Sequence, residues 1–392
     1  MKEELRGKKV LLTGATGFVG TRLAEILITE YECKVTAAVR NYGKAMRLAR
    51  YPVTFVYADF SAQTNYDKLV AGIDIVFHCA YGSSGSSDDR QHVDVDGTRS
   101  LVEAAAKAGI KSFVFLSTFA VYGTQHHETI SETTTQLTIN NSYAANKILA
   151  QKLVISFNGK NNMRTIVFQP TAVYGPFSPS YGTRIFTQLE KQIVAMINEG
   201  NGICNLIYID DLCKLMIQGA MHPKAAGNIY IATANDKITY ADFYRAFSKI
   251  CNQGEFYSVS LDEAVASAKK HYHVPGFLEN LGHALLFRKK GIKGLLGYSF
   301  FKWPAKLLIK ILPKNTQVKL KNRFFPVHKA TTAAAVKRKQ IPEEETARFL
   351  AMTAIASNQK ARNELHFEPA FDFTKGMKEI QKWYNWAYRS AT

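Results

Sequence analysis

Short apolar runs recur along the chain at residues 10–12, 33–39, 53–57, 73–79, 112–116 and 166–168. Each has the reach of a strand. The fourth is apolar almost throughout, as a strand covered by helices on both faces has to be. The stretches between them carry a helical rhythm instead. Residues 21–30 follow the first run directly, and residues 93–107 place Val95, Leu101, Val102 and Ala105 on one stripe. Another helix is expected to open at Ser142 and run to about Phe157. Strand and helix alternating six times predict an α/β fold built on a doubly wound parallel sheet. Further on, residues 204–209 and 227–232 read as strands and 240–250 as an amphipathic helix. A last helical region ends at Trp383-Tyr384-Asn385-Trp386.

The first strand runs into Gly14, Gly17 and Gly20, and a helix begins at once. Glycine suits the tightest point of such a turn, the place where a diphosphate meets bare backbone, and the packing of helix on strand. The amides at the helix start then face an anion. Gly14, Thr16, Gly17, Phe18, Val19 and Gly20 are therefore the candidate cradle. In such a fold the end of the second strand meets the adenosine ribose. An acid there bonds a 2′-hydroxyl, and an arginine accommodates a 2′-phosphate. Val39-Arg40 offers a cation, which favours NADP(H) over the alternative, NAD(H). Arg47 and Arg50 stand near enough in sequence to share that role. Asp59 and Phe60 close the third strand, where Asp59 can cap a turn or touch adenine. The fourth strand ends in His78-Cys79-Ala80-Tyr81. Cys79, Ala80 and Tyr81 suit close contact with a cofactor; His78 reads as a packed or loop histidine and not as a catalyst.

Composition changes the picture in one place. Of the net charge of +18, residues 262–340 supply +14, with 17 Lys or Arg against Asp262, Glu263 and Glu279. The remaining +4 is ordinary for an enzyme. The basic character thus belongs to a segment and not to the fold. Five scattered cysteines form no C-x-x-C pair and read as reduced thiols, with no metal site expected. No apolar run reaches the length of a membrane span. Charged residues from Lys2 to Lys9 lead straight into the first strand, so no signal peptide is expected and the cytoplasm is the expected compartment.

The candidate chemistry lies between the fifth strand and the helix after it. Ser117-Thr118 ends the strand, Val121-Tyr122-Gly123 follows, and Tyr143 and Lys147 are four apart on one helix face. A phenol titrating near 10 is a poor base at neutral pH. An ammonium one turn away is expected to lower it, so that Tyr143 can pass a proton. Later come Gln169-Pro170-Thr171-Ala172-Val173-Tyr174-Gly175-Pro176 and Tyr208-Ile209-Asp210-Asp211-Leu212.

Together with Thr13-Gly14-x-x-Gly17-x-x-Gly20, this ordered set resembles the extended short-chain dehydrogenase/reductase family, also called the NAD-dependent epimerase/dehydratase family. The resemblance covers roughly residues 8–250 and the last thirty. It implies a dinucleotide-binding domain over residues 1–170 and a substrate-domain segment over 171–204. The chain would return to the first domain over 205–235, and residues 236–392 would complete a smaller, mostly helical substrate domain carrying the insert 262–340. It implies Thr118, Tyr143 and Lys147 as the catalytic set, with Ser117, Pro170 and Val173 added to the cofactor contacts. Tyr143 would exchange the proton, Thr118 would fix the substrate oxygen, and Lys147 would also hold the nicotinamide ribose. Three positions depart from the family pattern: Asp94 stands for the usual asparagine, Gln169 for the usual arginine, and Cys204-Asn205 for the arginine that clamps a nucleotide-sugar diphosphate. The leading expectation is an NAD(P)-dependent oxidoreductase moving a hydride between nicotinamide and a secondary alcohol or ketone. The alternatives are a nucleotide-sugar epimerase or dehydratase, and a non-catalytic NADP-binding sensor or scaffold.

The resemblance leaves the insert unexplained. Phe300, Phe301, Pro304, Leu307, Leu308, Ile311 and Leu312 fall on one helical stripe opposite Lys302, Lys306 and Lys310. An earlier stripe, Phe277 to Leu286, precedes Arg288-Lys289-Lys290. Residues 277–323 are expected either to meet an anionic membrane surface or to pack on the substrate pocket as a lid. No nucleic-acid partner is expected; a small-molecule substrate is, and a homodimer is open.

Overall fold

The structure, a computed structural model, describes residues 1–62, 64–82, 86–125, 128–137, 142–271 and 337–389. The chain forms two compact units, residues 1–265 with 338–392, and residues 266–337. Only 266–271 and 337 of the second unit are described, so both amphipathic stripes of the insert lie outside the described residues.

The first unit is organised by a seven-stranded parallel sheet. Its strands are β1 (Lys9–Thr13), β2 (Lys34–Val39), β3 (Thr54–Tyr57), β4 (Ile75–His78), β5 (Ser112–Leu116), β6 (Arg164–Pro170) and β7 (Ile229–Ala232). They lie in the order β3-β2-β1-β4-β5-β6-β7. The chain first winds outward from β1 and then jumps back to β4 on the other side. A crevice opens at the carboxyl ends of β1 and β4, where the winding reverses.

Alternation along each strand divides the core. Val10 and Leu12 face one side of the sheet with Phe77, Val114 and Phe168. Helices α1 (Phe18–Thr29) and α4 (Ile209–Met221) cover them with Leu23, Leu27, Leu212 and Met216. Leu11, Val76, Phe113 and Val167 face the other side. There α2 (Gly97–Lys107) and α3 (Ser142–Ile155) supply Leu101, Val102, Ala150 and Val154. With both faces covered, the central strands have no side facing water, which is why they read as largely apolar runs. The helix expected over 93–107 is divided. A wider π turn spans His92–Asp96 and the α-helix begins at Gly97.

Beyond the sheet, α5 (Tyr240–Cys251) and α6 (Phe373–Tyr384) pack through Phe243, Phe247, Ile380 and Trp383. A three-stranded parallel sheet not expected from the sequence places Gln192–Ile197 between Glu255–Val259 and Arg338–Gln340. Among the described residues no helix is long and apolar enough to cross a membrane.

Candidate active site

The glycine turn closes the crevice from below. Gly14 has φ +67°, and a Cβ there would lie 2.6 Å from the Cys79 carbonyl carbon. A Cβ on Gly20 would fall on the Gly14 carbonyl oxygen. Gly17 caps α1 in extended conformation without a side chain. Phe18 and Val19 follow in the first helical turn, half-buried, and Thr16 is half-buried on the turn itself. The turn thus presents bare backbone and a helix start at the switch point, an arrangement that can hold a diphosphate.

At the tip of β2, Arg40 is more than half exposed, its guanidinium 3.8 Å from Asp59 Oδ1. Asp59 accepts hydrogen bonds from the Ser61 amide (3.0 Å) and hydroxyl (2.6 Å). Partial burial lifts this carboxyl, but the Ser61 bonds and Arg40 outweigh it and hold it below the usual carboxylate range. Arg47 and Arg50 do not join Arg40. Arg47 binds the buried Glu25 with two bonds of 2.7 Å and lies over the Phe177 ring; Arg50 reaches the same carboxylate at 3.7 Å. A buried carboxylate needs cations, and Glu25 takes these two. Phe60 points into the core, against Tyr66, His78 and Gly97.

His78 is a packed histidine, as its neighbours predict. The Thr98 hydroxyl donates to the Asp94 carbonyl (2.6 Å), so it accepts from His78 Nε2 (2.8 Å). Nδ1 then accepts from the Thr13 hydroxyl (2.6 Å), which itself accepts from the Ala80 amide (3.3 Å). Every proton in the chain has one place. Burial, with the Lys147 charge adding, pushes His78 down to about 3, and it stays neutral.

Above it stand the three residues singled out for chemistry. Thr118 Oγ1 accepts from the Ala120 amide (3.2 Å) and hydrogen-bonds Tyr143. Tyr81, half exposed, meets Tyr143 edge-on at 5.9 Å between ring centroids. Lys147 is only 3% exposed; Nζ donates to the Leu116 carbonyl at 2.9 Å and lies 4.7 Å from the Phe115 ring centre. Burial pushes Tyr143 up to about 12 against the Thr118 bond, with Tyr81 and Asp94 adding. Tyr143 is thus raised and not lowered as expected, and the Lys147 ammonium donates to the Leu116 carbonyl. Burial also brings Lys147 down to about 8, opposed by Asp94 and Cys79. Cys79 is itself buried, and Ala80 half-buried, at the end of β4.

Ser117 is turned away from the crevice. Its hydroxyl donates to Gln151 Oε1 (2.8 Å) and its amide to the Phe168 carbonyl (2.8 Å). Gln151 Oε1 also accepts from Gln169 Nε2 (3.0 Å), and Gln169 Oε1 accepts from the Tyr122 hydroxyl (2.7 Å). Gln169, standing where an arginine is usual, closes a neutral network. Sequence reasoning missed Gln151. Its signal was present: Tyr143, Lys147 and Gln151 are successive steps of four on one helix. Pro170 ends β6 buried, and Val173 is half-buried in the short strand Ala172–Tyr174. Cys204 is fully buried. Asn205 donates to the Ala354 carbonyl (2.9 Å) and accepts from the Ala356 amide (2.8 Å).

The model of the NAD dependent epimerase/dehydratase family matches residues 10–232, the span that carries the turn, the crevice and Tyr143-x-x-x-Lys147. The chain belongs to this family. Its members include enzymes as different as a UDP-glucose 4-epimerase of Vibrio cholerae, 27% identical over 254 residues, 61% of this chain and 74% of that one. A 3-beta-hydroxysteroid dehydrogenase of Mycolicibacterium neoaurum is 27% identical over 263 residues, 62% and 70% of the two chains. Among solved structures, a UDP-glucuronic acid 4-epimerase of Bacillus cereus in complex with NAD superposes with TM-score 0.66 at 16% identity, covering 97% of each chain. This family member is thus an enzyme of the nicotinamide-dinucleotide type with a Rossmann-like sheet.

Proposed function

We infer that the chain is an NADP(H)-dependent oxidoreductase acting on a secondary alcohol or ketone that carries no nucleoside diphosphate. The observation that carries this reading is at Cys204 and Asn205. Where a diphosphate clamp would stand, one side chain is fully buried and the other is spent on residues 354 and 356. Neither can meet a charged ligand. The steroid dehydrogenase among the relatives supports a substrate of this apolar kind.

The glycine turn and the start of α1 would hold the diphosphate, and Arg40 the 2′-phosphate. The nicotinamide, when bound, supplies or accepts the hydride. Thr118 stands beside Tyr143, and its hydroxyl would turn from the phenol to fix a substrate oxygen. Tyr143, protonated across the neutral range, donates the proton that a carbonyl oxygen needs as it becomes a hydroxyl. Lys147 has donors beyond the one given to Leu116 and would hold the ribose beside Tyr143.

The test is incubation with NADPH and a panel of hydrophobic ketones and, separately, UDP-sugars. Loss of NADPH absorbance with one alcohol formed per cofactor is the expected result. Conversion of a UDP-sugar with no net cofactor change would replace this reading by epimerisation.

A further inference from the structure

Tyr81 is an open aromatic side chain on a pinned backbone. Both of its chain neighbours are held by their amides. Ala80 donates to Thr13 Oγ1 at the end of β1 (3.3 Å), and Gly82 donates to Asp94 Oδ1 in the π turn before α2 (2.6 Å). Asp94 is only 3% exposed, so little water competes for the second of these bonds. A Cβ on Gly82 would lie 2.9 Å from the Arg90 Cα, so the segment has no room to move toward the short helix Ser87–Gln91. The side chain between these anchors is 54% exposed. Its ring meets Tyr143 edge-on, with centroids 5.9 Å apart and planes at 69°, a favourable arrangement for two aromatic rings. Lys147 Nζ lies 6.0 Å from the centre of the same ring. One part of the Tyr81 ring is thus spent on the two candidate catalytic residues, and the rest is open.

A reacting oxygen must come within about 3 Å of the Tyr143 hydroxyl to take its proton. The carbon that bears this oxygen carries two substituents, and the Tyr81 ring stands close enough to meet one of them. We propose that Tyr81 is a specificity-determining residue whose ring walls the place of one substituent on the reacting carbon and limits its bulk. The kind of substrate rests on the reductase reading above; the wall itself does not. A flat or small apolar substituent covers the open part of the ring and removes it from water. A branched one strikes a ring that the two anchored amides keep from retreating, and such overpacking is costly.

The test compares the full-length wild type with Tyr81→Ala and Tyr81→Phe on methyl ketones whose second substituent grows from ethyl to a branched or two-ring group. Ranking is read twice, as kcat/KM with NADPH and as dissociation constants for the NADPH complex by calorimetry. In Tyr81→Ala the bulkiest ketone should gain on the smallest by about tenfold or more, and the dissociation constant of NADPH should move less than this ratio. Tyr81→Phe, which keeps the ring, should keep the wild-type ranking. If Tyr81→Ala does not fold, Tyr81→Leu carries the comparison. An unchanged ranking in a folded variant without the ring would overturn the proposal, and a loss confined to NADPH affinity would assign Tyr81 to the cofactor instead. A calorimetric ranking that shifts in a protein reducing none of these ketones would uphold the wall and count against the reductase reading alone.

Discussion

Two buried polar clusters flank the carboxyl ends of the central strands, and they follow opposite rules. In the first, Ser117, Gln151, Gln169 and Tyr122 pass hydrogen bonds from one to the next, as do Thr13, His78 and Thr98 beside them. All are neutral, and their bonding capacity is largely spent. In the second, Lys147 and Asp94 are equally deep and Tyr143 is half-buried beside them, yet Lys147 and Asp94 keep unused donors or acceptors. Burial of polar groups does not by itself mark a site. What sets the second cluster apart is titratable groups with bonding capacity left open beside the cofactor crevice.

The largest effect should come from the open cluster. Tyr143→Phe should lower NADPH-dependent reduction by about 10² to 10⁴ while leaving cofactor affinity nearly intact, measured by steady-state rates and fluorescence titration. Wild-type turnover would place the proton donor elsewhere and erase the contrast. Next is the acid response of the closed cluster. His78 has an ordinary value of 6.5 and is pushed down to about 3, so the unfolded chain takes a proton that the folded chain refuses. Stability is therefore full above 6.5 and is lost as pH falls toward 3, by about 1.4 kcal/mol for each unit crossed. Denaturant titrations at pH 7 and 4.5 should show a smaller loss in His78→Gln than in the wild type. An equal loss would mean that other groups set the acid response.

Gln151→Leu should cost about 1–3 kcal/mol of stability for each group it strands, Ser117 and Gln169 first, with kcat per folded molecule unchanged. A fall in kcat without a fall in stability would put Gln151 in the open cluster. The smallest effect lies outside both. Among the described residues Arg40 is held by its approach to Asp59, and it is more than half exposed. Arg40→Ala should weaken NADPH binding by about 1.5–3 kcal/mol and spare NADH. Equal dissociation constants for both cofactors in the wild type would remove Arg40 from the site.

Much of this was legible in the sequence because the parts that carry it are local. The run 112–116 is the fifth strand residue for residue, and the other sheet strands fall within a few residues of their expected ends. Gly14 needs its positive φ wherever the rest of the chain goes, and Tyr143 and Lys147 share a helix face by spacing alone. What escaped was decided by residues far apart. Gln192–Ile197 is a strand because Glu255–Val259 and Arg338–Gln340 come to lie beside it. Arg47 is lost to the ribose because Glu25, on a different element, is buried beneath it. The direction of the Lys147 ammonium depends on the Leu116 carbonyl. None of these pairings leaves a periodic trace.

The three-stranded sheet also governs how the chain can diverge. The path leaves it soon after Glu255–Val259 and rejoins it at Arg338–Gln340, with the same strand, Gln192–Ile197, between the two. Everything from 266 to 337 is therefore spliced between two rails that share one sleeper. A segment moored in this way can lengthen, shorten or exchange its composition without re-registering a strand of the seven-stranded sheet. Residues 266–337 by themselves carry +14 of the chain's +18, so that charge lies in a stretch whose ends are set by this small sheet and not by the crevice that holds Tyr143.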